Sequence, residues 1–195
     1  MIRNIWAVGR NYADHAKELG NSVPTQPMIF LKAGSCASLA ASEIKLPEWS
    51  KDVHHEIELA LRFDQNLQIS DAAVAIDVTE RAFQAELKAK GHPWTLAKSF
   101  KDSCPLSAFF PVKNLEELKN LNLVLKVNDE VRQNGNTAQM IFSLQTLVDF
   151  VLTHFPVTPG DVLLTGTPAG VGAMKSGDIL EAEIAGKVRH MWKVV

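Results

Sequence analysis

The stretch VHHEIELALRF, Val53–Phe63, alternates with a period of two residues. His55, Ile57, Leu59, Leu61 and Phe63 fall on one side of an extended chain, and His54, Glu56, Glu58, Ala60 and Arg62 on the other. The alternation predicts a strand whose apolar side faces the core. It also puts Glu56 and Glu58 on one face, roughly 6–7 Å apart at Cα. Two carboxylates held there repel unless a proton or a cation lies between them. With a third acid from elsewhere they would form an oxygen-donor site for a hard divalent cation such as Mg2+ or Mn2+. The pair alone suits a polar strand face in water better than a metal site. Neighbouring residues point to opposite sides of a strand, so His54 and His55 cannot both join Glu56, and zinc ranks below magnesium or manganese.

Outward from this strand the chain reads as short elements. IWAVG (5–9) is a buried strand, NYADHAKELG (11–20) a short helix stopped at Gly20, and PMIFLKAGS (27–35) a further strand. AVAIDVTERAFQAELKAKG (73–91) predicts a strand that ends near Asp77, then a helix capped by Thr79 and closed at Gly91. NLVLKVNDEVRQNG (122–135) carries a hairpin signal around Asn128-Asp129. Ile141, Leu144, Val148, Val151 and Phe155 recur at helical spacing and predict an amphipathic helix on a sheet. TPGDVLLTGTPAGVG (158–172) runs from a strand into a glycine-rich loop, and residues 177–194 form a terminal hairpin. The sum is a strand-rich α+β domain over residues 1–195, without the regular alternation of a doubly wound sheet.

Composition narrows the function classes. With 195 residues, 46% hydrophobic and 22% charged, and a formal net charge of -2, the chain shows no electrostatic footprint for nucleic acid. No basic block suggests a membrane surface, and no run approaches the ~18 apolar residues of a membrane span. Cys36 and Cys104 are too few for a disulfide framework, and the N-terminus lacks a charged-then-apolar leader, so a cytoplasmic protein is expected.

Three further constellations bear on chemistry. In DHAKE (14–18), His15 and Glu18 share a helix face, where the carboxylate can fix the imidazole tautomer and make the ring a general base. A surface ion pair has the same spacing. Lys98, in PWTLAKSF, either snorkels, the commoner case, or is a buried cation beside an anion. The loop LLTGTPAGVG lacks the patterns of a phosphate cradle, although Thr165 and Thr167 could bind a small carboxylate there. Cys104, in SCPLS, reads as a buried turn residue rather than a nucleophile.

Taken in order, GRNYADHAKE, FLK, VHHEIELA, IDVTER, GHPWTLAKSF, SCPLS and LLTGTPAGVG resemble the fumarylacetoacetate hydrolase family over essentially the whole chain, most closely its small acylpyruvate hydrolases and oxaloacetate decarboxylases. The resemblance implies a mixed β-roll with short peripheral helices, a homodimer, and Mg2+ or Mn2+ held by Glu56, Glu58 and Asp77. It implies catalytic roles for His15, Glu18 and Lys98, and substrate contacts from Arg81 and Gln84. Arg10, Lys32 and Thr167 match positions near the substrate carboxylate or the metal shell.

The implied reaction is hydrolysis of the C–C bond of acylpyruvate or fumarylpyruvate-type β-diketo acids. Water deprotonated by His15 attacks the distal carbonyl, and a pyruvate enolate departs. An oxaloacetate decarboxylase, tautomerase or isomerase on the same site, acting on an oxo-dicarboxylate, is the alternative, as is a silent metal- or carboxylate-binding protein. Two departures stand out. Ala33 follows FLK where the family often has proline. The segment before IDVTER is shorter by roughly ten residues, which predicts omitted residues between Gln68 and Ala75 and an interrupted approach to Asp77.

Overall fold

The computed structural model describes residues 1–20 and 22–195. The strand Ile57–Phe63 lies in the middle of an eight-stranded mixed sheet. On one side it pairs antiparallel with Val162–Leu164, which pairs parallel with the N-terminal strand Asn4–Gly9, and Met28–Ala33 closes that edge. On the other side it pairs antiparallel with Ile69–Ile76, followed by Cys104–Leu106 and Ala37–Leu39. A five-stranded sheet contains the hairpin Asn122–Val127 and Glu130–Asn136 and the terminal hairpin Ile179–Ile184 and Val188–Val194. Asn128 and Asp129 both have positive φ, 51° and 66°, as the predicted two-residue hairpin turn requires.

The period-two pattern explains how the layers join. Ile57, Leu59, Leu61 and Phe63 enter the large core with Leu123, Leu125, Leu180, Ile184 and Trp192 of the second sheet. Leu144, Leu147, Val148 and Val151 of the helix Leu144–His154 cover the same core. Ser143 caps that helix, so Ile141 lies before it rather than on its stripe. The opposite face is buried too: Ala60 packs with Ala73, Ala75, Cys36, Cys104 and Leu106 in a second cluster of mostly small side chains. Cys104 is a strand residue there rather than a turn residue, and burial pushes its thiol up to about 12. No helix among the described residues is long and apolar enough to cross a membrane.

The interruption expected before Asp77 is absent. Ile69–Ile76 is a continuous strand of eight residues, in register with its partner from Ile57↔Ile76 to Arg62↔Asp71, with a bulge beside Phe63. The turn before it is closed by Asp64, whose Oδ1 accepts from the N–H groups of Asn66 and Gln68. An aspartate can close such a turn with its own side chain, and strand length is preserved. Glu80 replaces the expected Thr79 as cap of the helix Arg81–Lys90, accepting from the Phe83 N–H, while Gly91 ends it in the left-handed conformation as predicted. Thr79 sits in a two-residue strand and donates to the Asp77 carbonyl.

Candidate active site

Glu56 occupies a single-residue break between the strands Val53–His55 and Ile57–Phe63, and its carbonyl accepts from the Asp77 N–H at 2.8 Å. This bond continues the register one step beyond Ile57↔Ile76, so Asp77 comes opposite Glu56 with Glu58 two residues along. Carboxylate oxygens of Glu56, Glu58 and Asp77 lie within 4.8 Å of one another. The three are 5%, 2% and 1% exposed, so the face is no solvated strand surface.

Three carboxylates buried together need positive charge. Lys98 Nζ bonds Glu56 Oε2 at 2.7 Å, Asp77 Oδ2 at 2.5 Å and Thr79 Oγ1 at 2.6 Å. It is a buried cation and does not snorkel. Lys32 Nζ bonds Asp77 Oδ1 at 2.6 Å from beneath, wholly buried, and Arg81 bonds Glu56 Oε1. Burial tends to raise Glu56, yet Lys98 and Arg81 overcome it and hold this carboxyl far below its ordinary range. Lys98 is raised, because Asp77 and Glu56 outweigh its desolvation. Glu58 differs: burial, then the charges of Asp77 and Glu56, raise it well above the ordinary carboxylate value. Its Oε2 accepts from the Gly166 N–H at 2.6 Å, and Oε1 has no donor among the described residues. Such an oxygen-only donor set, with one carboxyl whose ionisation is opposed by burial and by its acidic neighbours, fits a hard divalent metal ion.

A narrow cleft opens over these groups and is also lined by Arg10, His15, Arg81, Gln84, Lys98 and Thr167. His15 is buried, so its pairing with Glu18, Nδ1 to Oε2 at 3.1 Å, is no ordinary surface ion pair. Glu18 stands outside the cleft, and its other oxygen accepts from the Gly170 N–H at 3.0 Å. The glycine-rich loop thus fixes the carboxylate that orients the imidazole carried by the helix Ala13–Glu18. Gln84 accepts from Arg81 at 2.7 Å and keeps the guanidinium turned toward Glu56. Of the two loop threonines, Thr167 lines the cleft, whereas Thr165 is wholly buried and donates to the Leu59 carbonyl.

Gln133 organises the loop beneath. Its Oε1 accepts from the Ile57 N–H and lies 3.0 Å from His55 Nδ1, while its Nε2 donates to Thr167 Oγ1 and the Pro168 carbonyl. His55 is therefore scaffolding on the side away from the carboxylates, as the alternation implied, although it is hydrogen-bonded rather than packed in apolar core. Gly166 has φ +97°, and a Cβ there would lie 2.7 Å from Asn11 Cβ. Asn11 in turn joins the loop to the chain at Phe142 through three side-chain bonds. Gly166→Ala is expected to destabilise the protein by about 1–3 kcal/mol, measured by urea unfolding, because both the backbone angle and the space are refused. Stability within about 0.5 kcal/mol of wild type would show that the loop yields freely.

A family model described as fumarylacetoacetate (FAA) hydrolase C-terminal matches residues 4–195. The chain belongs to the fumarylacetoacetate hydrolase family. It is 42% identical over 202 aligned residues to the mitochondrial oxaloacetate tautomerase FAHD1 of Bos taurus, covering 98% of this chain and 91% of that protein. It is 40% identical to the mitochondrial oxaloacetate decarboxylase of Dictyostelium discoideum, over 94% of this chain and 89% of that protein. Among solved structures, a fumarylpyruvate hydrolase from Pseudomonas aeruginosa in complex with Mn2+ and pyruvate superposes with TM-score 0.93. That pair is 30% identical and covers 100% of this chain and 90% of the other. The strand-rich roll with short helices is the fold of this fumarylacetoacetate hydrolase family.

Sequence reasoning missed several residues of this family member. Gln133 lies among exposed polar residues of a hairpin and carries no local signal. Met28, Phe30 and Trp94 come together in the cleft only through the fold, as does Asn11 with the loop at Thr165. Lys88 could have been found: it follows Arg81 and Gln84 at helical spacing on the same stripe.

Proposed function

We propose that this protein is a divalent-metal-dependent enzyme acting on 2-oxo acids with a β-carbonyl or β-carboxylate, with tautomerisation or decarboxylation of oxaloacetate as its first activity. The observation that supports it is the charge balance of the cleft. Glu56, Glu58 and Asp77 are matched by Lys32, Lys98 and Arg81, and Arg10 and Lys88 line the same cleft, so a divalent cation at the carboxylates leaves the site positive, which suits an anionic substrate. The naming of the oxaloacetate tautomerase and decarboxylase relatives points the same way. Glu56, Glu58 and Asp77 would hold Mg2+ or Mn2+, which when bound supplies Lewis acidity at a 2-oxo acid head.

The chain's own groups then have separate tasks. Arg81, kept in place by Gln84, orients the oxo acid head, and Thr167, fixed by Gln133, bounds the far wall. The Lys98 ammonium, its three N–H groups directed at Glu56, Asp77 and Thr79, would supply positive charge that favours the enolate as the C3 proton or CO2 departs. His15, backed by Glu18, takes the C3 proton in tautomerisation. Decarboxylation needs no base, because the electrons of the breaking C–C bond pass directly into the enolate.

A second reading, hydrolysis of acylpyruvates, is favoured by the same dyad, since a base beside the cleft can take a proton from water, and by the apolar wall of Met28, Phe30 and Trp94. Purified protein assayed on oxaloacetate and acetylpyruvate, with Mn2+ or Mg2+ and with chelator, tests both readings. Metal-dependent turnover is expected, and its absence on both substrates would sink the proposal. His15→Ala is expected to lower tautomerisation and any acetylpyruvate hydrolysis by about 10^2–10^4-fold while decarboxylation persists. Unchanged hydrolysis in that variant removes His15 from the base role.

A further inference from the structure

The cleft holds more cations than its carboxylates answer. Lys32, Lys98 and Arg81 are each bonded to Glu56 or Asp77. Arg10 and Lys88 line the same cleft, and among the described residues neither side chain makes an ion pair or hydrogen bond. Lys88 lies four residues after Gln84 and seven after Arg81 on the helix Arg81–Lys90, so the three share one stripe. From Arg81 to Lys88 the helix rises about 10 Å, and helical side chains lean back toward the N-terminus, which brings the ammonium over the turn nearer the carboxylates.

The neighbourhood of Lys88 is built rather than open. Its Nζ stands 5.0 Å from the centroid of the Trp94 ring, itself part of the cleft wall, and Trp94 is braced by Phe30 at 5.9 Å between centroids. Burial first, then the charges of Arg10, Arg81 and Lys98, lower the lysine below its ordinary value. Arg10 reaches the cleft from a left-handed backbone, φ 60°, which non-glycine residues adopt uncommonly. An anion between Arg10 and Lys88 would relieve their mutual repulsion.

We propose that Lys88, together with Arg10, binds the far carboxylate of a 2-oxo dicarboxylate whose oxo acid head lies at Glu56, Glu58 and Asp77, and that this pair selects dicarboxylates over acylpyruvates. The assignment rests on the function proposed above and names the substrate class of that site. The lysine is a specificity residue for the end of the substrate remote from the reacting carbonyl.

The test compares the metal-loaded full-length protein with Lys88→Met and Lys88→Arg. The ratio of kcat/KM for oxaloacetate to that for acetylpyruvate is expected to fall by about tenfold or more in Lys88→Met, through KM, and to return largely in Lys88→Arg. Pyruvate, which has no second carboxylate, is expected to bind both variants with a calorimetric Kd within about twofold of wild type. An unchanged substrate ratio, or pyruvate binding weakened as much as that of oxaloacetate, overturns the proposal. If wild type turns over neither substrate, the proposed function fails separately. Calorimetry of unreacted oxaloacetate against pyruvate then still decides Lys88: selective loss of oxaloacetate binding in Lys88→Met sustains its role, and equal binding removes it.

Discussion

Replacing Glu58 by glutamine is expected to raise the Tm of the chelated protein near neutral pH while abolishing both its stabilisation by Mn2+ and its turnover. Glu58 is buried against Asp77 and Glu56, and its carboxyl titrates well above the ordinary value of 4.5. A group raised by folding contributes fully below its unfolded value, and that contribution is lost as pH climbs toward the folded one. The metal-free protein therefore surrenders stability above pH 4.5 on account of Glu58. Glutamine cannot ionise, and its side-chain oxygen can still accept the Gly166 N–H that Glu58 holds at 2.6 Å. In wild type, metal at a hundredfold excess over its Kd adds about 2.7 kcal/mol by mass action. Glu58→Gln removes a ligand charge and most of that gain. Turnover should drop by more than the roughly 10–100-fold that outer-shell partners of a metal cost. Thermal unfolding with chelator and with Mn2+ from acid to neutral pH reads the stability effects, and a steady-state assay reads turnover. A metal-induced rise in Tm equal to that of wild type would falsify the assignment of Glu58 as a ligand.

Lys98→Met is expected to be the most destabilising single change at the site. The ammonium is buried and bonded to Glu56, Asp77 and Thr79, so its removal leaves Glu56 with Arg81 alone and Asp77 with Lys32 alone, three buried carboxylates against two cations. Breaking a buried pair in this way costs about 3–5 kcal/mol, and for a chain of this size each kcal/mol corresponds to about 2–4 °C in Tm. A fall of roughly 10 °C is expected with chelator at neutral pH, and a smaller one with Mn2+, which restores positive charge at the carboxylates. The pH dependence has a definite sign. Glu56 is held below its ordinary value in wild type, so it stabilises the fold above pH 4.5 and ceases to do so as pH falls through its folded value. In Lys98→Met that contribution is reduced to what Arg81 supplies, and the deficit shrinks in acid, where both states protonate their carboxyls. A neutral-pH Tm within about 2 °C of wild type contradicts the picture of a buried counter-ion.

The two replacements act on groups of very different visibility in the sequence. Glu56 and Glu58 could be read from alternation alone, because a strand sends residues i and i+2 to the same side, and Val53–Phe63 obeys that rule into the core. His15 and Glu18 could be read from helical spacing for the same local reason. The cap of the second helix could not, since Thr79 and Glu80 are both competent and the choice depended on which side chain faced the Phe83 N–H. The short segment before Asp77 suggested a damaged strand, because chain length says nothing of how the ladder pairs, and the strand Ile69–Ile76 is continuous.

Local periodicity thus determined the strands, the core-facing stripe of the helix Leu144–His154 and the pairing of the two glutamates, since each depends only on backbone geometry repeated over a few residues. Burial of those glutamates, the joining of Lys98 to both Glu56 and Asp77, the retreat of Lys32 beneath the site and the convergence of Arg10 with Lys88 belong to the tertiary structure. These are charges brought together from distant parts of the chain and taken out of water. Their energies depend on the separation and desolvation that packing imposes, quantities that no single segment contains.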